Sequence, residues 1–480
     1  MNGQIAARSP QGRGVLVATV LGSAMAMLDG TVVNVALRRL GTDLDASVSD
    51  LQWVVNAYLL TLASLILVGG SLGDRFGRRR VYVAGVAWFA LASLLCAFAQ
   101  TPGQLIGARL VQGVGAALLT PGSLAIIQAS IRAEDRAAMI GRWAGLGGIA
   151  AAVGPLLGGW IVENASWRWI FALNVPLALV VVVLSRRCVP ESCDAQRPAR
   201  FDLVGAALAS VGLGALTYGL IETGSAAATP ALAVGAVALA LFVLQERRAP
   251  SPLVPLRLFA DRVFSVANAM TLLVYGALGA MLFFVVLQLQ VSAGYSPLQA
   301  GVATVPITVL MLLLSSRSGA LAARIGPRWQ LSVGPMLCAA GVMLLREVGA
   351  GTSYLLGVLP GMLVFSLGLV ALVTPLTASV LAAAPDRLAG IASGVNNAVA
   401  RTGSLLAVAA LPAVVGLTGA DYEDPAVFTA GYTDALLVCS VLLVLGGAVS
   451  FVGLRGVPPP GAPASTAPRS PAPGRSGVPG

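Results

Sequence analysis

Three ionisable side chains lie deep inside long apolar runs of this 480-residue chain: Asp29, Arg109 and Arg401. Such placement is expensive. An arginine at the centre of a hydrocarbon layer costs at least ~2.5 kcal/mol even on mild insertion scales, so it must face a cavity or a partner. Counted from Pro102, Arg109 lies seven residues into its run, roughly 10 Å at 1.5 Å per residue. Asp29 lies eight residues before Leu37, where its own run ends, roughly 12 Å. Similar depth allows the two to meet. Burial disfavours the charged carboxylate and a nearby cation favours it, so a proton can be taken up or released there as the geometry changes. A static ion pair joining the two helices is the simpler alternative. Gln112 follows Arg109 by three residues and shares its helical face.

Further polar residues inside apolar runs are candidates to line a cavity: Asn34, Asn56, Tyr58, Asn174, Asn268, Tyr275 and Gln288. Asn397 stands beside Asn396, just before Arg401. Glu222 closes an apolar run, where an interfacial carboxylate costs little; alternatively it attracts cations if its helix packs against a cavity. With no histidine and no Cys-x-x-Cys pair, a metal site is not expected. No Gly-x-x-x-x-Gly-Lys-Ser/Thr loop is present, nor any lysine to complete one, which excludes an ATP-driven pump of that type. Neither an enzyme nor a bound cofactor is expected.

The elements that must position these residues follow from composition. Of the chain, 57% is hydrophobic and only 10% charged, against about 25% charged in soluble proteins. The chain therefore reads as an all-α polytopic membrane protein. About 20 apolar residues cross the hydrocarbon as a helix. Such runs occur near 15–37, 51–72, 81–99, 104–127, 137–162, 169–184, 202–222, 230–244, 263–291, 297–314, 330–348, 353–382, 389–417 and 434–454, fourteen in all. The first continues through Asp29 and Asn34 as one long helix rather than a cleavable leader.

All thirty cations are arginines, and twenty-four of them fall on one side when both termini are placed in the cytosol. The positive-inside rule requires that orientation. A net charge of +10 is thus a topology signal, since no soluble basic face exists to bind nucleic acid. The Pro-, Ser- and Gly-rich stretch at 456–480 cannot build a core and is expected to be a disordered cytosolic tail.

An internal repeat is visible. Gly70-Ser71-Leu72-Gly73-Asp74-Arg75-Phe76-Gly77-Arg78-Arg79 after the second run is echoed by Gly319-Ala320-Leu321-Ala322-Ala323-Arg324-Ile325-Gly326-Pro327-Arg328 after the tenth. The repeat predicts two bundles of six helices with two helices inserted between them, the plan of many transporters. The expected divisions are an N-terminus at 1–13, a first bundle at 14–188, a linker at 189–200, the inserted pair at 201–250 and a second bundle at 251–455.

On these motifs the chain resembles the major facilitator superfamily and, within it, the fourteen-span drug:proton antiporters. Gly70 to Arg79 matches the superfamily's loop signature. Leu105-x-x-x-Arg109-x-x-Gln112-Gly113-x-Gly115 matches its fourth-helix motif, and Gly154-Pro155-x-x-Gly158-Gly159 resembles the motif associated with antiporters. Leu28 to Leu37 is similar to the fourteen-span signature, and the Trp167-Arg168-Trp169-Ile170-Phe171 and Gly294-Tyr295-Ser296-Pro297 segments are further matches.

The resemblance implies a major facilitator fold, with Gly70, Asp74, Arg75, Gly77 and Arg78 as a conformational latch. The second copy has Ala323 where Asp74 stands in the first, so a latch there is weakened or absent. It implies proton coupling at Asp29, Arg109 and Glu222, and tight packing between the halves through Gly154, Pro155, Gly158 and Gly159. It implies a monomer in the cytoplasmic membrane whose partners are protons, the lipid bilayer and a hydrophobic or cationic drug. A narrow exporter of one natural product and a proton-coupled importer remain the alternatives.

Overall fold

The computed structural model describes residues 5–193, 202–385, 388–419 and 421–457. Residues 194–200 of the expected linker and 458–480 of the expected tail lie outside them. Among the described residues, twelve helical stretches are long and apolar enough to cross a membrane. Among the described residues there is no strand; Ile5 and Ile131 form an isolated bridge.

The first group of helices comprises α1 (Pro10–Leu44), α2 (Val48–Phe76), α3 (Arg78–Ala97), α4 (Pro102–Ser130), α5 (Ala133–Asn164), the short α6 (Arg168–Ala172) and α7 (Asn174–Cys188). After α8 (Leu203–Ile221) and α9 (Ala228–Arg248) come α10 (Arg262–Val291), α11 (Pro297–Ala303) and α12 (Val305–Ile325). The chain ends with α13 (Pro327–Leu345), α14 (Leu359–Ala382), α15 (Ala389–Val414) and α16 (Pro425–Gly453).

Local chemistry sets many of the starts. Ser9, Thr101, Ser296 and Asp424 each precede a proline at the first helical position and accept a backbone N–H from the first turn. Proline there loses no hydrogen bond, and the side-chain oxygen satisfies a donor that the helix leaves open. Three apolar runs expected as single helices are interrupted instead. The break between α6 and α7 falls at Leu173 and that between α11 and α12 at Thr304, while a π turn, Tyr354–Val358, opens α14. Pro176, Pro306 and Pro360 lie two or three residues beyond these points. Each lacks the N–H that would have closed the turn before it.

Within the first group α2 and α3 pack on α4, and α1 packs on α5 and α7. Later in the chain α10 packs on α15 and α16, while α14 packs on α12 and α13. The pair α8 and α9 lie against one another, and α8 also touches α2 and α15. Asp202 holds the pair together at one end, accepting from Gly205 N at 2.8 Å and from Gln245 Nε2 at 3.1 Å. Leucines and valines such as Leu91, Leu179, Val237, Leu313 and Leu356 remain exposed around the outside, the surface expected of a protein whose solvent is lipid.

The seam between the two groups is fastened unevenly. At the end marked by the α1–α2 turn, Val48 N donates to Gly419 O at 2.7 Å, and Tyr422 donates to Ala46 O at 2.7 Å. Gln52 Nε2 reaches the carbonyls of Val408 and Ala409, both at 2.9 Å. Gln290 donates to Val35 O at 3.1 Å, and Arg38 donates back to Gln290 O. Glu163 accepts from Ser296 Oγ at 2.7 Å and from Leu298 N at 3.2 Å. Among the described residues, every hydrogen bond across this seam lies at that end.

Backbone proximity within the first group depends on glycine. A Cβ on Gly69 would overlap the Ala117 carbonyl, whereas one on Gly107 would meet nothing within 4 Å. Gly69→Leu is therefore expected to destabilise the detergent-solubilised protein by about 1–3 kcal/mol or more, and Gly107→Ala to leave its thermal midpoint unchanged or slightly raised. Comparing the two unfolding curves checks this.

Candidate functional site

The two charges matched in depth by residue count are in contact. Arg109 Nη1 on α4 pairs with Asp29 Oδ2 on α1, and both side chains are only 1% exposed. With no water available, the remaining polar atoms must find partners within the protein. Arg109 Nη1 also donates to Gln112 Oε1 at 2.7 Å, and Arg109 Nε donates to Val54 O at 3.1 Å. Gln112 Nε2 donates to the other Asp29 oxygen, Oδ1, at 2.8 Å, and to Ser93 Oγ at 2.7 Å. Asn174 Nδ2 reaches the same serine oxygen at 2.9 Å.

A single network thus joins α1, α2, α3, α4 and α7. The guanidinium carbon stands 4.3 Å from the centre of the Tyr58 ring and 5.8 Å from that of Phe171, a cation–π arrangement strengthened by desolvation. A small cavity bounded by Leu28, Asp29, Val32, Leu157, Gly158, Ile161, Ile170, Leu173 and Asn174 opens beside the carboxylate. The carboxylate thus borders this cavity on one side and a fixed cation on the other.

Ser93 and the Val54 carbonyl had no distinguishing mark in the sequence. A serine in an apolar run is too common to flag, and a main-chain acceptor has no residue type.

The other polar candidates are dispersed. Asn56 is fully buried on α2, and neither of its side-chain polar atoms has a hydrogen-bond partner. Asn34 reaches only its own helix, at Gly30 O, 3.5 Å away. Asn268 on α10 joins Asn396 on α15, and Asn396 also donates to Thr271 at 2.8 Å. Gln288 is tied within the later helices, to Val348 O at 2.8 Å and Thr429 Oγ1 at 3.0 Å.

Tyr275 is half-buried and Asn397 exposed, and among the described residues neither side chain makes a hydrogen bond. Arg401 lies within electrostatic reach of both Tyr58 and Tyr275. Glu222 stands apart from the Asp29 network, accepting from Trp53 Nε1 at 3.0 Å and so joining α8 to α2.

The loop at 70–79 forms a clasp. Asp74 pairs with Arg78 one turn on, at 2.7 Å. The adjoining arginines turn to Glu191: Arg79 lies 3.6 Å and Arg80 3.7 Å from its carboxylate, which also accepts from Arg79 N at 3.1 Å. Gly77 has φ of 109°, where only glycine is comfortable, and a Cβ there would strike Glu191. Arg75 is exposed and lies against Phe76. All the ion pairs of this loop among the described residues stay within the first group of helices. Glu191, in a short segment after α7, carried no motif and was not anticipated.

The span-five glycines lie at crossings. Gly154 and Gly158 face Thr31 and Val32 of α1. Gly159 faces the backbone of Pro297 and Leu298, while Gly301 approaches the Pro155 carbonyl. This brings α5 and α11 into contact across the seam, which small residues permit.

Residues 19–408 match the family model of the Major Facilitator Superfamily. The chain is 36% identical to multidrug resistance protein Stp of Mycobacterium tuberculosis over 406 residues, covering 83% of this chain and 75% of that protein. It is 35% identical to a methylenomycin A resistance protein of Bacillus subtilis, covering 93% and 94%, and 35% identical to a puromycin resistance protein of Streptomyces alboniger, covering 91% and 90%. Among solved structures, a bacterial homologue of the human lysosomal transporter Spinster superposes with a TM-score of 0.67 at 16% identity, covering 93% of this chain and 98% of that one. A D-xylose–proton symporter superposes with a TM-score of 0.64 at 15% identity, again covering 93% and 98%. These two likenesses speak to the fold.

Arg109→Ala leaves Asp29 buried without its cation, and breaking such a pair costs about 3–5 kcal/mol. The double variant Asp29→Asn with Arg109→Gln, which removes both charges together, is expected to lose less than the sum of its two single variants. Thermal unfolding of the four proteins in one detergent measures the coupling.

Proposed function

The chain belongs to the major facilitator superfamily, and on that footing we propose that it exports small hydrophobic antibiotics or drugs in exchange for protons. The observation that carries the reading is the Asp29–Arg109–Gln112 network, a buried carboxylate held directly against a fixed cation. A carboxylate so placed has two stable conditions. One has Arg109 against it, and the other follows when movement of the helices separates the pair or admits water. Five helices contribute to the network, so a change in its protonation bears on the packing of the whole first bundle.

In this reading fourteen helices cross the membrane. Besides the twelve that pass by length and hydropathy, α5 and α13 cross as well; they are 32 and 19 residues long. Residues 14–188 and 251–455 form two rocking bundles, 201–250 an inserted pair and 189–200 a linker. Both termini lie in the cytosol, where the arginine bias supports them. The hydrogen bonds across the seam then close its external end, which is the arrangement of an inward-facing transporter. Gly70, Asp74, Arg75, Gly77 and Arg78 act with Glu191 as the cytosolic latch. Pro155 and Gly159, at the crossing with α11, let the bundles seal at the external side, while Gly154 and Gly158 seat α5 on α1. Glu222 takes part through α8 and Trp53 rather than by touching Asp29.

Export of antibiotic-like molecules is supported by relatives named for resistance to methylenomycin A and to puromycin. The exporter works in this proposal as a monomer in the cytoplasmic membrane.

Inside-out vesicles with an acidic lumen are expected to accumulate methylenomycin A. Asp29→Asn should abolish that gradient-driven uptake while the protein still reaches the membrane in normal amount. Undiminished accumulation by Asp29→Asn would sink the coupling assignment.

A further inference from the structure

Resting on the export reading above, we propose that Arg401 anchors an acidic group of the transported molecule, so that the substrates are amphipathic organic anions, carrying a carboxylate or an ionised phenol. Arg401 has no hydrogen bond and no ion pair among the described residues, although it lies twelve residues into α15. Arg109, the other deep arginine, is paired with Asp29, bonds to Gln112 and Val54 and lies over the Tyr58 ring. A guanidinium does not lose its proton to escape burial. One left unpaired at this depth must therefore face water or a ligand.

The neighbours on α15 show which way it faces. Asn396, Gly403 and Ala407 lie on the row that meets α10: Asn396 bonds to Asn268 and Thr271, Gly403 abuts the Leu272 carbonyl, and Ala407 is close to Gly276. Gly394, Leu405, Val408 and Ala409 meet α2 through Leu67, Ala63 and Gln52. At 3.6 residues per turn, Arg401 falls on the α2-facing side of α15, between Val408 and Leu405, with Asn397 at its border, so Arg401 is turned toward the first group of helices. Tyr58 of the first bundle and Tyr275 of the second both lie within electrostatic reach of Arg401. Among the described residues the Tyr275 hydroxyl and the Asn397 amide are unbonded, so the place offers a cation and two neutral hydrogen-bond donors with aromatic surface beside them.

No carboxylate competes there for a cation. Asp29 is paired with Arg109, Glu222 is engaged by Trp53, and Asp434 sits on α16, which packs against α10 and α13. A planar guanidinium is suited to the two oxygens of a carboxylate. Of the hydrophobic or cationic drugs expected from the sequence, this proposal keeps the hydrophobic body and gives it an acidic group.

The test uses proteoliposomes with an imposed pH gradient and three probes on one scaffold: 7-diethylaminocoumarin-3-carboxylate, its neutral carboxamide and its cationic choline ester. Wild type is expected to take up the carboxylate in preference to the ester. Arg401→Gln should lower carboxylate uptake on the order of tenfold, the loss expected for a hydrogen bond to a charged group, and leave the carboxamide within about twofold. Arg401→Lys, which keeps the charge, should retain part of the carboxylate uptake.

If Arg401→Gln folds poorly, the shift in wild-type thermal midpoint with each probe gives the same ranking. Equal loss of carboxylate and carboxamide uptake, unchanged carboxylate uptake, or wild-type preference for the ester overturns the assignment while export stands. Wild-type failure to accumulate any of the three overturns the export reading and this inference together.

Discussion

An arginine cannot shed its proton, and Arg109 sits where water cannot reach it. Much of the organisation of the first bundle answers that constraint. Asp29 neutralises the charge, Gln112 bridges cation and carboxylate, and Ser93 orients the glutamine while holding Asn174. The Val54 carbonyl takes the remaining guanidinium donor on that side, and the Tyr58 ring covers the cation. Each partner comes from a different helix or turn, so the charge pair also fixes how those helices sit. Buried ion pairs contribute little net stability compared with apolar packing, yet are costly to break singly. That asymmetry suits a site meant to change state as a unit.

The seam between the bundles shows a second asymmetry. Its polar ties gather at the end where α1 turns into α2, and they use main-chain carbonyls as acceptors more often than side chains. Such contacts tolerate separation, because each freed carbonyl or amide can be rehydrated when water enters. The glycines at the α5–α11 crossing add close packing without directional bonds. At the opposite end the arginine-rich loop is held by Glu191 within its own bundle. The two ends therefore differ in kind: one is a contact between bundles, the other a clasp within one.

Much of this was legible in the sequence. Helical content and the order of the spans follow from apolar runs separated by arginines, because the hydrocarbon layer sets both length and composition. The Asp29–Arg109 pair could be anticipated from depth alone, since two opposite charges at one level in a bundle have few other partners. Less legible were the breaks at Leu173 and Thr304, although Pro176 and Pro306 marked the places once the cause was considered. Gln288 carried the same signature as Gln112, a polar residue in an apolar run, yet it fastens Val348 and Thr429 instead of joining the charged network. Glu191 was invisible because nothing in a short Pro-containing segment announces which arginines it will meet.

The sequence by itself determined the solvent, the helices, the residues too costly to be incidental and the pairing of Asp29 with Arg109. These are properties of transfer free energy and helical rise, which act along the chain. Only the tertiary structure decided who completes that pair, that Glu222 is engaged by Trp53, and that Arg401 has no hydrogen bond or ion pair among the described residues. Those outcomes depend on which faces of separate helices meet, and a side chain's partner three helices away leaves no trace in its own neighbourhood.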